Sequence, residues 1–231
     1  MDHLSCRVDV WARVDLEYST FSGEKPFLFN ESSGAVQNVR LAAGVYLPMK
    51  NTSPGGRLEA VLRDTQALVM AINIAVDTKT KLQPSFFQES MVTTQYRIFF
   101  LEFSEDEWEK EALRLGMVAF GATVYFRFAG YRREYGRLGE SLAEIVERHL
   151  PAEWPRPELL FWLLIVGSIS VWKAGSQSFV LDTLRDLAYQ LRIRTWTDAK
   201  AVLKSILWVD ALHDELAGEE FRGTDMPFRL S

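Results

Sequence analysis

Cysteine is almost missing from this chain: Cys6 is alone among 231 residues. A single thiol closes no internal disulfide and builds no zinc cluster, so the usual marks of a secreted scaffold and of a cysteine-rich metal module are both lacking. The opening residues, Met1 to Val10, have no basic region followed by an apolar run of the kind a secretory signal carries. Positive charge is also short. With 26 Lys and Arg against 31 Asp and Glu, the net charge is -5 and the isoelectric point is near 5.4. Affinity for nucleic acid grows with the number of phosphates that Lys and Arg neutralise, so no direct nucleic-acid binding is expected. Long hydrophobic runs are lacking too. The most apolar stretch, Leu159 to Trp172, lies between Pro157-Glu158 and Lys173 and falls short of the ~20 residues that cross a bilayer. No membrane span is expected, and a helix apolar all round calls for other helices around it.

What is present is ordinary globular usage, 48% hydrophobic and 25% charged, in a chain long enough for one large domain or two small ones. From Arg57 onward the spacing is helical. Leu58, Val61, Leu62, Thr65, Leu68, Val69 and Ile72 recur every three or four residues and lay one stripe on a helix. A second helix is expected from about Ser85 to Leu101, after Pro84. A third starts at Ser104, where Ser-Glu-Asp-Glu matches a capping box, and runs to about Tyr131. Gly116, Ala119, Gly121 and Ala122 within it permit a neighbouring helix to approach closely. Gly139 to Leu150 forms a fourth, ended by Pro151, Pro155 and Pro157. Upstream, Val8, Val10, Ala12, Val14, Leu16 and Tyr18 alternate with Asp9, Trp11, Arg13, Asp15 and Glu17, the periodicity of a strand. The expected architecture is all-α: an irregular multi-helix bundle around a central apolar helix at about 159–172. An extended or irregular segment over 1–56 precedes a helical domain over 57–221, and a tail over 222–231 follows.

Several groups invite a chemical reading. Asp210, His213 and Asp214 are spaced to share one helix face and carry metal-ligating atoms; with only His3 and His149 elsewhere to complete a site, a solvated helix end is the expected role and no metal is assigned. Arg127-Phe-Ala-Gly-Tyr-Arg-Arg-Glu-Tyr-Gly-Arg137 interleaves arginine with aromatics as single-strand binders do, but one short cluster on an acidic chain fits a helix end better. Cys6, Ser168 and Ser170 are the candidate nucleophiles. Gly167-Ser-Ile-Ser-Val lacks the glycine of a nucleophile elbow, and Pro54-Gly-Gly-Arg57 lacks the lysine and spacing of a phosphate loop. Glu105 with Asp106 reads as charge at a helix start. No catalytic or cofactor-binding residue is assigned and no cofactor is expected.

Several segments carry a resemblance in their order. Leu150-Pro-Ala-Glu-Trp-Pro-Arg-Pro-Glu158 leads into the apolar helix; Ser178-Phe-Val-Leu-Asp-Thr-Leu-Arg-Asp-Leu-Ala188 follows a small-residue turn; Leu191-Arg-Ile-Arg-Thr-Trp-Thr-Asp198 is a tryptophan-bearing link. A last helix then presents Val202, Leu203, Ile206, Leu207 and Trp208 and continues to Asp210, while upstream Gly121-Ala-Thr-Val-Tyr-Phe-Arg-Phe128 adds a small-residue helix. Over roughly residues 85 to 221 the chain resembles the regulatory domain of the fungal zinc-cluster transcription factors. The six cysteines of that family's DNA-binding module are missing, as are a basic region and coiled-coil heptads behind it.

The resemblance implies a regulatory-type domain without its own DNA-binding module, acting in transcriptional control by protein contacts open to modulation by a ligand, with a transcription factor or the transcription machinery as partner. It implies the nucleus as location, no enzymatic activity, and a competing subunit as one way to act. Two other classes stand beside it. A small-molecule-binding helical protein or an enzyme of unrecognised type would use the aromatic set Phe86, Phe87, Tyr96, Phe99, Phe100, Phe120, Tyr125, Phe126, Phe161 and Trp162. A helical scaffold or a truncated gene product would have no autonomous role.

Overall fold

Proline sets three of the helix starts. Pro54, Pro84 and Pro157 each open a helix, at the position where a missing N–H costs nothing. The structure, a computed structural model, describes residues 53–125, 135–149, 154–172, 178–222, 224 and 226. Among the described residues there are eight α-helices and no strand: α1 Pro54–Asp77, α2 Pro84–Phe99, α3 Trp108–Tyr125, α4 Gly136–Arg148, α5 Pro157–Ser170, α6 Ser178–Gln190, α7 Trp196–Ile206 and α8 Asp210–Glu220. The alternating segment at 8–18 and Cys6 lie outside them.

α5 is the axis. Every residue from Leu159 to Ser170 is buried, and α3, α4, α6, α7 and α8 all pack on it. A helix with no polar face keeps its apolar atoms out of water only in that setting, and each fully buried Leu, Ile or Phe contributes about 1.5–3 kcal/mol relative to exposure. The expected central helix is thus in place, covered from both sides of the proline cluster. α1 and α2 close the bundle through α3.

α3 packs closely on both α5 and α2, and its small residues permit it. A Cβ on Gly116 would lie 2.5 Å from the Trp162 ring, and one on Gly121 would lie 2.6 Å from the Gln95 amide carbon of α2. Neither space accommodates a methyl group without movement of its neighbour. The same logic recurs at Gly167, where a Cβ would fall 2.6 Å from Trp172; that ring instead folds back and donates from Nε1 to the Gly139 carbonyl at 2.9 Å, tying α5 to α4.

Some boundaries depart from the sequence reading. α1 begins three residues before Arg57, with the Ser53 hydroxyl accepting from the Gly56 N–H at 3.3 Å. At Ser104 the Glu107 carboxylate accepts from the Ser104 N–H at 3.4 Å and hydroxyl at 3.1 Å, as a capping box requires of its acidic member. The residues between, Glu105–Glu107, form one 3-10 turn, and the α-helix starts only at Trp108. Its expected extension beyond Tyr125 lies outside the described residues. α4 starts at Gly136, earlier than Gly139. The largest departure is at the end of α7: the helix expected to continue through Leu207 and Trp208 to Asp210 stops at Ile206, and a new one starts at Asp210.

Candidate functional site

The break between α7 and α8 is densely hydrogen-bonded. α7 is started firmly: the Thr195 hydroxyl accepts from the Asp198 N–H at 3.1 Å, and the Asp198 carboxylate accepts from the N–H groups of Arg194 at 3.0 Å and Thr195 at 2.9 Å. The Arg194 N–H first, then the Thr195 side chain and the Thr195 N–H, hold the Asp198 carboxyl below its ordinary value of 3.8. The helix ends because Leu207 is extended, at φ -154° and ψ 121°.

An extended link leaves backbone groups that a helix would have paired, and buried ones need partners. Four side chains from three helices supply them. Trp162 Nε1 of α5 donates to the Leu207 carbonyl at 2.7 Å. Asn73 of α1 takes two: its Nδ2 donates to the Trp208 carbonyl at 2.9 Å, and its Oδ1 accepts from the Asp210 N–H at 3.0 Å. Gln66, two turns earlier on α1, donates to the Ser205 and Ile206 carbonyls, each at 3.2 Å. His213 Nδ1 of α8 accepts from the Val209 N–H at 2.9 Å.

The side chains of the link turn inward. Trp208 is fully buried, edge-on to Trp196 at 5.9 Å and tilted against His213 at 4.8 Å, and its Nε1 donates to Asp214 Oδ1 at 2.9 Å. Two ion pairs join α7 to α8 over it, Lys200 to Asp214 at 3.1 Å and Lys204 to Asp210 at 2.6 Å. Beneath, the His213 ring is 0% exposed and meets Phe120 at 5.0 Å. Its Nε2 lies 2.7 Å from Thr123 Oγ1 of α3, which donates in turn to the Phe120 carbonyl at 2.7 Å.

The sequence candidates therefore separate. Asp210, His213 and Asp214 do share α8, but a solvated helix end does not describe them: His213 is fully buried, and each carboxylate is held by its own lysine. The reason is the break, which turns the start of α8 into the bundle. Among the described residues no group of three or more His, Cys, Asp and Glu is placed to hold a metal ion. Ser168 and Ser170 are buried and donate to the carbonyls of Leu164, at 2.8 Å, and of Val166. Glu105 and Asp106 are exposed on the 3-10 turn. Pro54-Gly-Gly-Arg57 is the first turn of α1. Most of the arginine-aromatic stretch, residues 126–134, lies outside the described residues. His149 stacks on Trp108 at 4.0 Å and 12°, with Trp154 edge-on to the same Trp108 at 4.9 Å.

Of the aromatic set, Tyr96, Phe99, Phe120, Phe161 and Trp162 are buried in the core and Phe100 packs against it. Gln66, Asn73 and Thr123 were not singled out from sequence. Asn73 alone left a trace there, as an amide inside the apolar run Ala71-Ile-Asn-Ile-Ala75.

No family model matches the chain, and no curated protein or solved structure matches it either.

Proposed function

We propose that the chain is a regulatory domain that works by contact with another protein in transcriptional control, of the type the zinc-cluster factors carry apart from their DNA-binding module. The observation that carries the contact reading is on α1. Met70 and Ile74, one turn apart on one face of the helix, are 62% and 53% exposed, so the helix that closes the bundle shows an apolar pair on its outer face. Clustered exposed apolar groups favour a protein partner over a solvated surface. The transcriptional part of the reading rests on the ordered segments of the resemblance, with an all-apolar helix surrounded by its neighbours in the sequence order that the resemblance implies. The nuclear location and the absence of chemistry belong to the same proposal.

The test is crosslinking and tagged recovery from the native cells, with mass spectrometry, comparing the natural chain with a Met70→Asp, Ile74→Asp variant shown by circular dichroism to remain folded. Recovery of a zinc-cluster factor or of transcription machinery, lost in the variant, is the expected result. Recovery of the same proteins by both chains, or of the tagged chain alone, overturns it.

A further inference from the structure

His213 is a titratable group sealed in the interior, and its two ring nitrogens face opposite demands. Nδ1 lies 2.9 Å from a backbone N–H, that of Val209, a donor that no rotation can turn into an acceptor. A nitrogen in that position must offer a lone pair. Nε2 lies 2.7 Å from Thr123 Oγ1, whose own proton is spent on the Phe120 carbonyl, so Nε2 must carry hydrogen. The bonding pattern assigns the neutral ring with one proton on Nε2. A second proton would go to Nδ1, directly against the Val209 N–H.

Among the described residues the ring packs against uncharged groups of α3 and of the link. From α3 the ring meets Thr123 and Phe120, both uncharged, and the charged residues of α3 are confined to its first two turns, up to Arg114. From the link it meets Trp208. α5, which packs on α8, has its one described charge, Glu158, at the start of the helix. α1 contributes Asn73 at the Asp210 N–H, with Asp77 exposed one turn beyond. On α8 itself Asp210 and Asp214 are held by Lys204 and Lys200 of α7. On the same helix Asp210 Oδ1 is buried without a hydrogen-bond partner.

We propose that His213 is a proton-sensitive clasp, which holds α8 and the Leu207–Val209 link on α3 while its ring carries one proton and releases them when it takes a second. The sign follows from linkage. The unfolded chain accepts a proton at the ordinary histidine value of about 6.5 while the closed bundle resists it, so stability is complete above that value and falls as pH falls below it. Release would expose Trp208 and the Phe120 side of α3, both apolar and both covered in the closed state.

The experiment is urea unfolding of the full chain at pH 7.5, 6.5 and 5.5, with His213→Gln and His149→Gln beside it. Glutamine retains an acceptor for the Val209 N–H but does not titrate. The unfolding constant of the natural chain should rise by up to about tenfold per pH unit below about 6.5. His149→Gln should keep that rise and His213→Gln should lose it. A flat profile in the natural chain, or an equal rise in His213→Gln, overturns the proposal. Should His213→Gln fail to fold, nitrogen chemical shifts of the His213 ring decide: an Nε2-protonated neutral pattern that gives way only together with loss of the folded signals is expected. A doubly protonated ring inside an intact bundle at pH 5.5, for example with Nδ1 donating to Asp210, overturns it.

Discussion

α5 and the link after α7 are both buried, yet they are held by different physics. α5 is fixed by apolar area on every side, which is tolerant of detail: any neighbour that fits will do. The link is fixed by directed bonds from Gln66, Asn73, Trp162 and His213, each of which satisfies a backbone group that would otherwise be stranded. Trp162 belongs to both, with a fully buried ring in the axis and an N–H on the link. The comparison teaches that the bundle has a greasy centre for stability and a polar seam for position.

Breaking both modes at once should have the largest effect. Trp162→Ala removes the ring that fills the α3–α5 contact and strands the Leu207 carbonyl, and an expected loss of about 3–5 kcal/mol follows, read by denaturant unfolding. A neutral result there would mean that α5 is not the axis. Asn73→Ala attacks the seam alone. It leaves the Trp208 carbonyl and the Asp210 N–H without their partner and should cost about 1–3 kcal/mol, with hydrogen exchange quickening at Asp210 before it does in α5. Equal protection in both places would erase the distinction. Thr195→Ala removes only the cap of α7 and is expected to cost about 1 kcal/mol, visible as a small shift in the urea midpoint. The smallest effect is one of pH. The Asp198 carboxyl is held low by the backbone N–H of Arg194 and then by Thr195, so its contribution is present above the unfolded carboxylate value and disappears as pH falls through the folded one. Asp198→Asn should flatten that part of the acid limb of stability against pH; an unchanged limb would show that the cap does not depend on charge.

The same contrast decides what could be read in advance. α5 announces itself, because Leu159 to Val166 are apolar at every position and composition alone demands burial. The Ser104 and Glu107 pairing and the small residues of α3 were legible for similar local reasons, as spacing within a few residues. The end of α7 was not. Val202, Leu203, Ile206, Leu207 and Trp208 have the periodicity of a continuing helix, and nothing within that window says that Leu207 turns extended. The cause is remote: Asn73 and Trp162 offer the link's backbone alternatives to helical pairing. Once the helix breaks, His213 moves from a supposed wet end to the interior, and the ring's role follows from a contact with Thr123 that is 90 residues away.

That remoteness has a consequence in time. The amides of Gln66 and Asn73 bond to groups that lie 135 to 140 residues further along the chain. On a ribosome adding about 5–20 residues per second, the first helix waits roughly 7 to 28 seconds before its counterpart exists. During that interval its core-facing Leu58, Val61 and Leu68 can be sheltered by α2 and α3, on which α1 packs. The seam is therefore among the late parts of the described bundle that synthesis permits to close.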